Sequence, residues 1–502
     1  MAEVLIAGAG PTGLALALWL TRQNVTVRIV DQAAGPGETS RAMVVQARTL
    51  ELYRQLDLAD AVVEAGHPTT AMNLWAHGKH RARIDFGAAG AALTSYPFVT
   101  VYPQDEHERL LVDALAARGI AVERNTALLS FVDEGSAVIA RLRLPDGSEQ
   151  DSSHAYLAGC DGARSVVRHQ LGTGFEGGTY KHVFYVADID ADGVLPEEEG
   201  HVAFDEGDFA LLLPYGKGRQ KRLIGTVRDE RASQAETLAF DDVHQDAIRH
   251  LGLQVHHVNW FSTYRVHHRM AERFQQGRAF LLGDAAHIHS PAGGQGMNTG
   301  ILDANNLAWK LAAVLQGRAA PALLESYGEE RQAFARKLVA TTDRLFTLAT
   351  SEGKLADMLK THLMPAVASL AFKVEDVREL MFKTVSQITL DYRGSRLSRG
   401  RAGGVHGGER MPWLAEADNA PNAAPIGWQV QVFGAAGDEL VAWCLAHGVA
   451  LHVFEWRQEY SHRGLARDAV YLLRPDSWVG LADGDASLAA LDAYLAEQGL
   501  RF

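Results

Sequence analysis

The sharpest change of hydrophobic period in this chain falls between Arg278 and Leu315. A short apolar run, Ala279 to Leu282, predicts a buried strand. Ile301, Leu302, Asn305, Ala308, Leu311, Ala312 and Leu315 then recur at helical spacing. Between strand and helix stand a carboxylate, Asp284, and the glycines Gly293, Gly294 and Gly296. Glycines there let backbone N–H groups approach a planar or anionic ligand, and the start of the following helix adds partial positive charge.

The same strand-to-helix change opens the chain. Val4 to Ala7 predicts a short buried strand, Thr12 to Arg22 a helix, and Val25 to Val30 a second strand that ends at Asp31. Gly8, Gly10, Pro11, Thr12 and Gly13 lie in the first turn, in a G-x-G-x-x-G spacing. The first glycine serves the turn, the second the close approach of a pyrophosphate, and the third the packing of helix on strand. Asp31 is placed for ribose hydroxyls. An ADP-bearing cofactor follows, but this fingerprint alone leaves NAD and FAD open.

Further along, Val183 to Ile189, Phe209 to Pro214 and Arg222 to Val227 predict strands separated by Gly and Pro turns. Residues 331–381 read as helical, with Pro365 as a break. Residues 400–425 are rich in Gly, Pro, Ala and Asn and read as a linker. Beyond it, strands Gln429 to Phe433, Ala450 to Phe454 and Val470 to Leu473 alternate with helices Glu439 to His447 and Ser487 to Gln498, as in a small α/β unit.

Composition narrows the classes. The 502 residues exceed one ordinary core. A net charge of −13 argues against nucleic acid or an anionic membrane as partner. Cys160 and Cys444 alone make no disulfide framework, and no Cys spacing suits a metal. Val4 to Leu20 lacks a basic flank and is broken by glycines and a proline, so it does not read as a signal peptide, and no stretch has the length of a membrane span. A cytoplasmic protein is expected.

Three motifs in this order resemble the class A flavoprotein monooxygenases, the FAD-dependent aromatic hydroxylases that include phenol hydroxylases. They are Ser40-Arg41-Ala42 with Arg48-Thr49-Leu50-Glu51; Gly159-Cys160-Asp161-Gly162-Ala163-Arg164-Ser165 with Arg168; and Gly283-Asp284 with the histidine, proline and glycines that follow. Arg474-Pro475-Asp476 is similar to a motif of the C-terminal thioredoxin-like domain in phenol-hydroxylase-type members. The resemblance covers roughly the first 400 residues more firmly than the last 100 or so.

What this resemblance implies is an α/β chain in five parts. A Rossmann-like FAD-binding domain would be made of residues 1–71, 101–180 and 265–345. An antiparallel β-sheet substrate domain would comprise 72–100 and 181–264, followed by a helical segment 346–400, a linker 401–425, and a thioredoxin-like domain 426–502. That last domain lacks a C-x-x-C pair, so it is expected to be structural, for dimerisation or for covering the active site.

FAD would be held by the fingerprint residues and Asp31, by Arg41, Gln104 and Asp161, and by Gly283, Asp284, Pro291, Gly293, Gly294, Gln295, Gly296, Met297 and Asn298. Arg41 and Pro291 would also act in catalysis, beside the ring system and at its oxygen edge. Tyr102, Phe209, Leu211, Leu213 and Pro214 are the candidate substrate contacts. No second strand–G-x-G-x-x-G–helix unit occurs, in keeping with NADPH or NADH docking transiently as reductant.

The implied reaction is hydroxylation of a phenolic or polycyclic aromatic with NAD(P)H and O2, through a flavin C4a-hydroperoxide. An FAD oxidase or dehydrogenase of the same fold, or a non-catalytic flavin-binding protein, would carry the same nucleotide motifs.

Overall fold

The computed structural model describes residues 2–37, 42–193, 196–205, 208–216, 218–227, 238–243, 246–289, 294–350, 375–415, 417 and 426–501. A six-stranded sheet forms the base of the first domain, in the order Gln275–Gln276, Ala279–Leu281, Tyr156–Gly159, Val4–Ala7, Val27–Val30 and Val122–Glu123. All neighbours are parallel except the first pair. Val4, Leu5, Ile6 and Ala7 are all buried, because helices cover both faces of such a sheet. Helix Pro11–Arg22 packs on helix Gly296–Leu315 and on helix Gln104–Ala116. The two sequence-predicted strand-to-helix units are therefore neighbours in space, although they lie far apart in the sequence.

Above this base stands an eight-stranded sheet in the order His287–Ile288, Gln254–Ala271, Phe175–Asp192, Gln220–Val227, Asp208–Pro214, Gly200–Asp205, Ala71–Ala76 and Lys79–Asp85. Its two 18-residue strands run unbroken from one domain into the other. The expected boundaries at 180/181 and 264/265 fall within these two strands. The sequence periodicity missed the strand Gln254–Ala271 because its positions are mostly half-buried, with no clean alternation of apolar and polar residues.

Alternation divides the big sheet into two faces. Ala210, Leu212, Leu223, Tyr185 and Ala187 pack behind it with Phe240, Val243 and Ile248. Leu211 and Leu213 point the other way, onto Met43, Val44 and Val101 of the first domain.

Helix Glu325–Thr350 crosses toward the C-terminal part. The last sheet has the order Val405–His406, Arg399–Ala402, Val479–Asp483, Val470–Leu473, Gln429–Phe433 and Ala450–Phe454. Helices Asp438–Ala446 and Leu488–Gln498 accompany it. Residues 401–406 thus form a tight hairpin rather than a linker. Their glycines answer packing demands: Gly400, Gly403 and Gly408 have positive φ, and a β-carbon on Gly400 would lie 2.2 Å from the Ala482 carbonyl oxygen. Most of 416–425 lies outside the described residues.

A fully buried ionic cluster fixes this unit to the first domain. Glu330 accepts from Lys310 Nζ at 2.7 Å and from Arg474 Nη1 at 2.6 Å, with every one of these side chains at 0 % exposure. Asp476 pairs with Arg474 and accepts from Trp309 Nε1 at 3.0 Å. Lys310 is held down to about 8, chiefly by burial.

Candidate functional site

The first turn is built by steric exclusion. Gly8 has φ +105°, and a β-carbon there would meet the Cys160 carbonyl oxygen at 2.2 Å. One on Gly13 would lie 2.0 Å from the Gly8 carbonyl oxygen. At Gly10 nothing stands within 4 Å of where a β-carbon would be, which leaves the approach that a pyrophosphate needs. Pro11 begins the helix, where its missing N–H costs nothing. Thr12 faces the later glycines: β-carbons on Gly283 and Gly300 would come within 2.7 and 2.2 Å of its Oγ1.

Asp31 closes the end of the second strand. Its Oδ2 accepts from Ala9 N–H at 2.6 Å and its Oδ1 from Ala33 N–H at 2.7 Å. Each oxygen keeps a lone pair for a ribose hydroxyl.

Asp161 follows the strand Tyr156–Gly159. Its Oδ2 accepts from Val166 and Val167 N–H at 2.7 and 3.2 Å, while Oδ1 is buried without a partner among the described residues. Burial raises this carboxyl above its usual range. Arg168 ties the same loop to the later motif, donating to the Ala163 and Ala285 carbonyls at 2.7 and 2.9 Å.

Gly283, at φ +56°, begins the short turn Gly283–Ala285 that presents Asp284 to the surface. Its N–H donates to Asp303 Oδ2 at 3.0 Å, and His287 Nε2 meets the same oxygen at 2.8 Å. His287 is buried, as suits a structural histidine. Arg331 donates from Nε to Asp303 Oδ1 at 2.6 Å, from Nη2 to the Thr299 carbonyl at 3.1 Å, and from Nη1 to Tyr392 Oη at 2.8 Å.

Beyond the turn, Gly294 has φ +63° and lies against Val44, and the helix begins at Gly296. Asn298 is committed inside the protein. Its Oδ1 accepts from Gln46 N–H and Thr49 Oγ1, and its Nδ2 donates to the Val44 and Gly294 carbonyls, all within 2.8 to 2.9 Å. Its side chain braces the loop. Gln295 likewise turns to Gln387 and Thr384, and Met297 packs on the core. Gln104 donates to Glu108 at 2.8 Å, and its backbone N–H bonds the Ala42 carbonyl. Arg41, Pro291 and Gly293 lie outside the described residues.

Of the substrate candidates, Leu211 and Leu213 meet Met43, Val44 and Val101 beside Gly294. Phe209 lies across from Phe204, with ring centroids 5.7 Å apart, and Pro214 ends the strand. Tyr102 is buried and donates from its hydroxyl to the Glu106 carbonyl at 3.2 Å.

Sequence reasoning missed Asp303, Arg331 and the Glu330 cluster. One signal was present: Asp303 and Lys310 are charged positions on a helix that is buried nearly all round. Among the described residues no cluster of His, Cys, Asp or Glu could hold a metal, and no helix is long and apolar enough to cross a membrane.

An open Gly10, a closed Gly13, the Asp31 carboxylate at the end of the second strand and the orphaned Asp161 oxygen fit an ADP-bearing cofactor and mark a dinucleotide-binding protein. Residues 1–342 match the family described as FAD binding domain. The chain is 34% identical to 6-methylpretetramide 4-monooxygenase of Streptomyces rimosus, over 99% of its own length and 91% of that protein's. It is 32% identical to pentachlorophenol 4-monooxygenase of Sphingobium chlorophenolicum, over 84% and 76% of the two chains. Among solved structures, aklavinone-11 hydroxylase in a ternary complex with FAD and aklavinone superimposes with a TM-score of 0.78, at 25% identity over 99% of each chain. This protein belongs to the FAD-dependent aromatic hydroxylases, the class A flavoprotein monooxygenases.

Proposed function

We propose that this chain hydroxylates a phenolic or polycyclic aromatic compound, with NADPH or NADH as a transient reductant and O2 as the oxygen source. The observation that carries the reading is the apolar face of the large sheet, where Leu211 and Leu213 close on Met43, Val44 and Val101, and Val44 in turn touches Gly294. A flat apolar ring laid on that face would rest next to the loop that borders the flavin. The polycyclic substrates named for its relatives support the same size class.

Bound FAD supplies the electron transfer and oxygen activation. The chain's residues bind, orient and shield. Backbone around Gly8, Gly10, Pro11, Thr12 and Gly13 would take the pyrophosphate, Asp31 the ribose, and Asp161 and Asp284 the remaining hydroxyls. Backbone N–H groups at Gly293, Gly294, Gln295, Gly296 and Met297 would face the edge where the reduced ring carries negative charge. Arg41, Gln104 and Pro291 keep the roles implied by the family resemblance, as do Tyr102, Phe209 and Pro214 at the substrate.

The C-terminal unit is assigned as thioredoxin-like. Supporting this, strand Gln429–Phe433 is parallel to Ala450–Phe454 and antiparallel to Val470–Leu473, which pairs antiparallel with Val479–Asp483. A cytoplasmic homodimer completes the proposal.

The test is oxidation of NADPH and NADH by the purified yellow protein against a panel of polycyclic phenols, with product and hydrogen peroxide both quantified. Substrate-stimulated oxidation with hydroxylated product is expected. Stoichiometric peroxide with every compound would favour an oxidase instead.

A further inference from the structure

The C-terminal unit has no thiol pair and its face toward the first domain is ionic, which raises the question of what it contributes. The answer lies at two consecutive residues of one helix. Glu330 faces the C-terminal unit and accepts from Arg474 through both nitrogens of its fork, at 2.6 and 3.0 Å. Arg331 faces the other way, to Asp303, whose second oxygen holds the Gly283 N–H. Neighbouring helix positions are turned by about 100°, so one rigid segment serves both networks.

Tyr392 joins them from the side. Its hydroxyl accepts from Arg331 Nη1, its ring lies 5.2 Å from the Arg474 guanidinium, and it packs on Trp478 at 4.8 Å. A second tie runs in parallel. Ser477, held at φ +64°, accepts from Arg48 Nη2 at 2.8 Å, and the Asp476 carbonyl accepts from the same nitrogen at 3.2 Å. The next residue, Thr49, donates to Asn298 Oδ1, which braces the Gly294 loop.

Both ties leave the segment Arg474 to Trp478 and end on the two stretches expected to border the flavin, Gly283-Asp284 and Gly294 to Asn298. The geometry points to a positioning role for the C-terminal unit: Arg474, Glu330, Arg331 and Tyr392 hold the flavin-binding turn in register, so docking of this unit sets how tightly FAD is retained. This rests on the flavin reading of those two stretches. The four residues are positioning residues, since none is placed against the cofactor.

A burial argument supports the inference. Breaking an ion pair at zero exposure is costly, whereas replacing the whole pair by apolar groups is often neutral, so stability alone gives a weak reason for a charged seam at this site. A seam with directional forks fixes an orientation that an apolar patch would leave loose.

The experiment compares full-length wild type with Tyr392→Phe, which removes one hydroxyl, with Arg474→Met, and with the double variant. FAD affinity is measured by flavin fluorescence on adding FAD to apoprotein, and melting of the apoprotein is followed separately. Each single variant should raise the FAD Kd by about 2- to 30-fold, and the double variant by less than the product of the two, because both act through Arg331. Arg399→Gln, at the exposed Arg399–Glu497 pair of the same unit, should leave FAD affinity unchanged.

An unchanged Kd in Tyr392→Phe, with only a lower apoprotein melting temperature, would overturn the proposal in favour of a purely structural seam. Fully multiplicative losses would overturn the shared route. Failure of the wild type itself to bind FAD would instead remove the flavin reading on which the proposal stands. Should Arg474→Met not fold, Tyr392→Phe decides alone.

Discussion

A β-carbon on Gly13 would stand 2.0 Å from the carbonyl oxygen of Gly8 and 3.2 Å from Cβ of Cys160. Neither neighbour can give way, because Gly8 is already at φ +105° against the Cys160 carbonyl. Gly13→Ala is expected to push helix Pro11–Arg22 off the sheet. It should lose about 1–3 kcal/mol of stability and purify with little FAD. The ratio of flavin to protein absorbance reads this directly, and a fully yellow variant would refute the steric account.

Asp161 separates binding from stability. Its buried, unpartnered Oδ1 and raised pKa mean that the ionised carboxylate burdens the apoprotein. For a group whose folded pKa is raised, stability is present at low pH and is lost as pH rises through the folded value. Asp161→Asn should therefore melt higher than wild type at neutral pH as apoprotein, with the advantage shrinking in acid, while binding FAD more weakly. Equal melting temperatures across pH would refute the assignment.

His107 governs the acid limb. Burial lowers it to about 3, and its Nε2 meets Tyr53 Oη at 2.9 Å. Between the unfolded value of 6.5 and the folded value the unfolded chain binds the extra proton, so stability falls as pH drops through that window. Replacing His107 by Phe preserves the aromatic packing with Tyr53 and Tyr102. It should flatten the loss by a few kcal/mol at the acid end. Urea midpoints between neutrality and acid would show it.

Glu330 and Glu325, on the same helix Glu325–Thr350, give a contrast. Glu330→Ala removes the buried partner of Lys310 and leaves Arg474 with Asp476 alone, and should cost about 3–5 kcal/mol. Glu325→Ala breaks an exposed pair with Arg396 and should cost about 1 kcal/mol or less. Chemical denaturation of the two variants side by side checks the ordering.

Much of the flavin site was legible because it is local. The fingerprint from Val4 to Asp31 combines a short, wholly apolar strand, a helix and a glycine spacing within about 30 residues, and the Gly283 segment repeats that logic. The Asp303–Arg331–Tyr392 network was not legible: its members are far apart in sequence, and each alone resembles a surface charge or an ordinary core tyrosine. The glycines from Gly400 to Gly408 misled for the opposite reason, since tight strand packing and linker flexibility select the same residue. Asn298 lay in the right loop, but its contacts depend on Val44 and Gln46, which no sequence window joins to it.

The two cysteines acquire a further meaning in a protein of this class. A flavin monooxygenase releases hydrogen peroxide whenever oxygen is reduced without hydroxylation, and peroxide attacks thiolates rather than thiols. Burial raises Cys160 well above its usual value and Cys444 to about 11, so both remain protonated at neutral pH. Burial thus holds both thiols in the form that peroxide attacks least readily.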